Sequence, residues 1–206
     1  AFFQDQDKFK EIYEKAERMT SIRKKSVPAI ELFSAFVTER KDTGRIYLMN
    51  VDHANTHGSF IEDVAPIKQS NLCCEIDLPT KPLNDINDPD GEISLCTLSA
   101  VNWGVIKDLT EMQKVCNLAV RGLDELLDYQ DYPVLAAELS TMNRRPLGVG
   151  IINFAYWLVK HDTNYQDPNL ELVDEWAEAW SYGLIKASNE LAQEKGSCPK
   201  TMETKY

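Results

Sequence analysis

The chain has 206 residues, 43% of them hydrophobic and 27% charged, which predicts a folded, soluble protein with its own core, in one large domain or two small ones. Its formal net charge is −11 and its densest basic stretch, SIRKKS at 21–26, is too short to follow a phosphate backbone, so a polynucleotide partner is excluded while a single nucleotide is not. No apolar run approaches the ~20 residues that cross a bilayer, and AFFQDQDKF lacks the basic and apolar regions of a signal peptide, so no membrane partner and a cytoplasmic location are expected.

Helices are predicted over residues 4–18 and 27–41. In the second, Ile30, Phe33 and Val37 recur at helical spacing with Leu32 and Phe36 beside them, Pro28 sits in the tolerant first turn, and Thr43-Gly44 supplies a C-cap. RIYLMNV at 45–51 reads as a strand, and a long polar loop follows, DHANTHGSFIEDVAPIKQS. From 71 to 78 the pattern is strand-like until Pro79 and Pro82 stop it. NDINDPDG at 84–91 is dense in turn residues and predicts a tight surface turn, with EISLCTLSAV at 92–101 as the returning strand.

A long helix is predicted over 109–128, its apolar face marked by Met112, Val115, Cys116, Ala119, Leu123 and Leu126. A short helix at 133–142, a buried strand LGVGII at 147–152, a helix at 153–160 and the longest helix at 169–194 complete the pass. Apolar strands separated by helices predict an α/β sheet or barrel. The chain is about 40 residues short of a complete eightfold barrel, but it fits part of one.

The five cysteines, at 73, 74, 96, 116 and 198, are an odd number thinly spread, which suits a reducing cytosol with free or catalytic thiols. The absence of an initiator Met predicts a piece of a longer protein. Asp52, His53 and His57 form a DHxxxH pattern, but the segment reads as a loop without a third ligand, so polar loop histidines are expected and no metal site. Gly148 and Gly150 are explained by close strand packing, since a phosphate-binding GxGxxG would need glycine where Asn153 stands. Trp176, Trp180 and Leu184 fall at helical spacing and predict core packing.

The stretch SNLCCEIDLPT at 70–80 is the candidate for chemistry. On an extended chain Asn71, Cys73 and Glu75 share one face, while Leu72, Cys74 and Ile76 share the other, with Cys74 acting as a small hydrophobe. An ideal strand would hold Asn71 and Glu75 about 13 Å apart. If the three polar groups meet one ligand, the segment has to bend into a loop tip. An edge strand with solvated Asn and Glu is equally compatible with the periodicity.

SNLCCEIDLPTKPLNDINDPDGEISLCTLSAVNWG resembles the active-site region of the class I ribonucleotide reductase large (alpha) subunit. The flanks SIRKKSVPAIELFSAFVTERKDTGRIYLMNVDHANTH and RRPLGVGIINFAYWLVKH, and the terminal SCPKTMETKY, are similar to family segments too, so the resemblance covers essentially the whole chain. The NLCxE and LCTLSAxN elements, with Cys73 and Cys96 23 positions apart, carry it.

The resemblance implies a ten-stranded α/β barrel, of which residues 1–206 are a single central fragment, with a finger loop at about 70–80 and Cys73 at its tip. It makes Cys73 the thiyl radical that removes hydrogen from the ribose 3′ carbon. Glu75 becomes the general base for the 3′-OH, and Asn71 holds the substrate hydroxyls through donor and acceptor of one amide. Cys96 becomes one of two reducing thiols that close a disulfide in each turnover, its partner lying outside this chain. Arg45 matches an arginine near the tyrosine radical relay. Cys74 departs from the pattern, which commonly has an aliphatic residue there.

The substrate implied is a ribonucleoside di- or triphosphate. The implied partners are a small (beta) subunit whose metallocofactor originates the radical, a second alpha subunit, and thioredoxin or glutaredoxin as reductant. No cofactor is bound directly by these residues, and the ATP and dNTP effectors bind elsewhere in the parent. The fragment alone is expected to be inactive. The rival readings are an adenosylcobalamin-dependent (class II) reductase and a non-catalytic remnant serving as an interaction module.

Overall fold

A computed structural model describes residues 5–206, so the predicted helix start at residue 4 lies outside the described residues. The chain divides into two compact units, one running to Gly58 and including Ile67–Asp77, the other formed by Ser59–Pro66 and Leu78–Tyr206.

The first unit holds helices α1 (Gln6–Arg18), α2 (Ala29–Thr43) and α3 (Val51–His57). The Asp5 side chain caps α1 by accepting the Lys8 N–H at 2.8 Å. As its sequence predicts, α2 ends on Gly44 in the left-handed region (φ 67°), whose N–H reaches Arg40 O at 2.9 Å. Its apolar residues lie open: Ile30 is 68% and Phe33 60% exposed.

The strand expected at 45–51 is absent. A strand needs a ladder partner, and here the Ile46 carbonyl accepts from the Arg40 guanidinium at 2.8 Å instead. The polar loop expected from Asp52 begins as a helix, because Asn55 is buried and its amide works as a clamp. Its Nδ2 donates to Val51 O and Ile67 O, and its Oδ1 accepts the Ile67 N–H, each at 2.8 Å.

The second unit is built on β1 (Leu98–Asn102) and β2 (Gly148–Ile152), parallel and paired from Leu98 with Gly148 to Asn102 with Ile152. Parallel strands need a crossover, here α4 (Leu109–Tyr129) and α5 (Leu135–Arg144); α6 (Phe154–Lys160) and α7 (Leu170–Lys195) follow. The close packing expected of the glycines holds at Gly148, where a Cβ would sit 2.4 Å from Leu98 Cδ2. Of the strand expected at 92–101, only the last part is laddered with β2, while Glu92 makes an isolated antiparallel bridge with Lys81.

The start of α4 is capped by Asp108, which accepts the Glu111 N–H at 2.8 Å while Glu111 accepts the Lys107 N–H at 2.6 Å. Met112, Cys116, Val120, Leu123 and Leu127 are its buried apolar residues; Leu126, expected on the apolar face, is exposed. Around Trp103, 1% exposed, stand Trp157, Trp176 and Trp180 at ring separations of 5.5, 5.6 and 5.9 Å. Trp176 and Trp180 are therefore core residues, as their spacing predicts. Among the described residues no helix is long and apolar enough to cross a membrane.

Candidate active site

Of the stretch at 70–80 expected to form the finger loop, residues 70–77 lie in the first unit, and they are not extended. The Cys74 N–H donates to Asn71 O at 3.1 Å and the Asn71 N–H to Ile76 O at 3.3 Å, closing the chain on itself. Asn71 holds this bend with its side chain. Its Oδ1 accepts the N–H groups of Glu75 and Ile76, both at 3.1 Å, and its Nδ2 donates to Glu75 Oε1 at 2.6 Å. Asn is suited to such a place because its short amide satisfies neighbouring backbone groups in non-extended conformations.

The geometry corrects the alternating strand. Asn71 and Glu75 are in hydrogen-bond contact, so the bend required for joint action is present. Leu72, expected on a buried apolar face, is 86% exposed, and Cys73 is exposed at the tip. Cys74 is half-buried with φ 63°, a left-handed conformation that a non-glycine residue adopts at a cost, and its Sγ lies 3.9 Å from Leu48 O. The doublet is split by a turn, not by the two faces of a strand.

The same unit carries Arg45, exposed just beyond Gly44, with its N–H on Thr43 Oγ1 at 3.2 Å. His53 and His57, read as loop residues, lie one turn apart on α3 with ring centroids 5.7 Å apart. Among the described residues no group of three or more His, Cys, Asp or Glu is arranged to hold a metal ion.

Cys96 belongs to the second unit and is exposed. The segment bearing it is fastened on both sides. Ile93 N–H donates to Ala136 O at 3.1 Å and Ser94 Oγ to Pro79 O at 2.6 Å, while Thr97 O accepts the Gly148 N–H at 2.9 Å. The predicted turn before it folds around Asp88, whose carboxylate accepts the N–H groups of Asn84 and Asp90 at 2.9 Å. Those backbone bonds, that of Asn84 first, hold its carboxyl below the usual range.

Sequence reasoning missed the charged cluster that anchors this turn. Glu92 is buried and receives Lys200, the buried Arg144 and, at 3.2 Å, Lys81; Arg144 also reaches Glu203 at 2.7 Å. Burial alone would raise the Glu92 carboxyl, but hydrogen bonds from Lys200 and Arg144 outweigh it and hold the group down at about 2. The partners are 52 and 108 positions from Glu92, and no local signal links them. The other cysteines are structural in setting: Cys116 is buried in the tryptophan core, where burial pushes its thiol up to about 11, and Cys198 Sγ lies 3.2 Å from Thr201 Oγ1.

The family model described as "Ribonucleotide reductase, barrel domain" matches residues 2–206. The chain is 57% identical to the ribonucleoside-diphosphate reductase 1 subunit alpha of Escherichia coli and 56% identical to the ribonucleoside-diphosphate reductase subunit alpha of Haemophilus influenzae. It is 54% identical to the corresponding subunit alpha of Buchnera aphidicola from Acyrthosiphon pisum. Each match covers 100% of this chain and 27% of the relative, so the chain spans about a quarter of the length of these proteins. With the match running over essentially its whole length, the chain belongs to the ribonucleotide reductase family and carries sequence of its barrel domain.

Proposed function

We propose that the full-length subunit containing this chain reduces ribonucleoside diphosphates to 2′-deoxyribonucleotides by thiyl-radical chemistry, with residues 1–206 as one piece of a ten-stranded catalytic barrel. The observation that carries this reading is the loop tip: Cys73 is exposed between Asn71 and Glu75, which touch at 2.6 Å. Membership of the family and the diphosphate named for the relatives support it.

In this reading Cys73, as a thiyl radical, takes the hydrogen atom from the ribose 3′ carbon and becomes a thiol. Glu75 takes the 3′-OH proton, which lets the sugar radical expel its 2′-OH, and this leaves as water with a proton from one of the two reducing thiols. Cys96 and a second thiol supply the two electrons and close a disulfide, and the Cys73 thiol returns its hydrogen to the 3′ carbon. The Asn71 carbonyl is committed to two backbone N–H groups, so its substrate contact runs through the amide NH2 rather than through both ends of the amide.

The radical originates in a metallocofactor of a separate small subunit, and this chain supplies positioning and proton transfer. A second alpha subunit, a thioredoxin or glutaredoxin reductant and a cytoplasmic setting complete the proposal. Replacement of Cys73 by Ser in the full-length subunit tests it: deoxynucleotide formation is lost on this reading, and turnover retained at the parent rate overturns it.

A further inference from the structure

We propose that Cys74 is a resolving thiol for Cys73, so that the loop tip is a reversible oxidation site for a hydroperoxide. The chain supplies two adjacent thiols, one exposed and the other half-buried, in a turn rather than a strand. In a strand, successive side chains stand on opposite faces and neighbouring sulfurs are kept apart. Here the left-handed φ of 63° at Cys74 and the Cys74 N–H to Asn71 O bond remove that alternation. Among the described residues of the first unit, Cys73 and Cys74 are the only cysteines; of the remaining three, Cys116 is sealed in the core of the second unit.

The chemistry balances with the hydroperoxide as oxidant. The Cys73 thiolate attacks the terminal peroxide oxygen, the O–O bond breaks, and Cys73 becomes a sulfenic acid with release of water or an alcohol. The Cys74 sulfur then attacks the Cys73 sulfur. The S–S bond forms, the S–O bond breaks, and hydroxide leaves as water with the Cys74 proton. Two thiols have lost two electrons, and the peroxide has been reduced.

Adjacent Cα atoms are about 3.8 Å apart, closer than an ordinary disulfide tolerates, so the ring is strained. Strained and exposed disulfides have high reduction potentials, and dithiols reopen them readily. Closure thus holds Cys73 short of the irreversible sulfinic state, which a lone exposed thiol would reach. The consequence for turnover, though not the disulfide itself, rests on the catalytic reading of Cys73.

The test treats the full-length subunit with hydrogen peroxide, alkylates remaining thiols, digests, and measures masses and deoxynucleotide formation before and after a dithiol. The expected peptide spanning Cys73 and Cys74 carries no alkyl group and is lighter by two hydrogens. Turnover is lost and then restored by the dithiol. In Cys74→Ala and Cys74→Asn, basal turnover is kept, the same treatment drives Cys73 to sulfinic and sulfonic acid, and dithiol-recoverable turnover is lost. Two substitutions are used because Asn accepts the left-handed conformation more readily than Ala.

Equal sulfinic acid at Cys73 in parent and variants, or a disulfide from Cys73 to any thiol other than Cys74, overturns the inference. A vicinal disulfide with undiminished turnover supports the inference and overturns the catalytic role of Cys73. Loss of turnover in Cys73→Ser without any vicinal disulfide does the reverse.

Discussion

Asn71 Nδ2 stands 2.6 Å from Glu75 Oε1, although an extended chain would separate the two residues by four positions of strand. One side chain both folds the loop tip and grips the carboxylate proposed as the base. Glu75→Gln keeps the size and removes the base, so kcat of the full-length subunit falls about 100-fold or more with KM little changed. Asn71→Asp keeps an acceptor for the two backbone N–H groups but sets a second negative charge against Glu75. Steady-state turnover of both variants checks this; an Asn71→Asp subunit as active as its parent would show that the amide donor is dispensable.

The buried Glu92 cluster predicts acid sensitivity. Its folded-state pKa of about 2 lies below the ordinary 4.5, so protonation favours the unfolded chain. The contribution is complete above pH about 4.5 and is lost as the pH falls toward 2. Arg144→Met leaves Glu92 buried without its guanidinium and costs about 3 kcal/mol. Denaturant midpoints measured from pH 7 downward should show a parent that weakens below pH about 4.5, and a Glu92→Gln variant that is weaker at neutral pH but flatter with acid.

Cys116 is predicted to be chemically silent. Burial against Trp180 keeps its thiol neutral, with the pKa at about 11, and covers it from reagents. Iodoacetamide at pH about 8, near the ordinary thiol pKa, should alkylate the exposed Cys73 and Cys96 in the native protein and reach Cys116 only after denaturation. Labelling at equal rates, followed by mass spectrometry, would contradict the packing described.

Trp103 is the hub of the tryptophan core, in ring contact with Trp157, Trp176 and Trp180. Trp103→Ala should cost about 4 kcal/mol, since an indole-sized cavity forms among side chains that cannot all close on it. Trp103→Phe should cost less. A thermal unfolding midpoint unchanged in the alanine variant would place the stabilising core elsewhere.

What could be read in the sequence was whatever depends on near neighbours. The 3.6-residue period located the helices of 109–128 and 169–194 to within two residues, and Gly44 was legible as a C-cap because only a residue tolerant of positive φ ends a helix that way. The quoted motifs around Cys73 and Cys96 were enough for the family. Tertiary structure decided the rest. Strand-like composition at 45–51 and 71–78 made no ladder, because pairing depends on a distant partner, and local groups, the Arg40 guanidinium and the Asn71 amide, took backbone atoms there. The same long range hid Arg144 and Lys200 behind Glu92: a buried charge is stabilised by whatever the fold brings beside it, and that proximity is written in no local stretch of sequence.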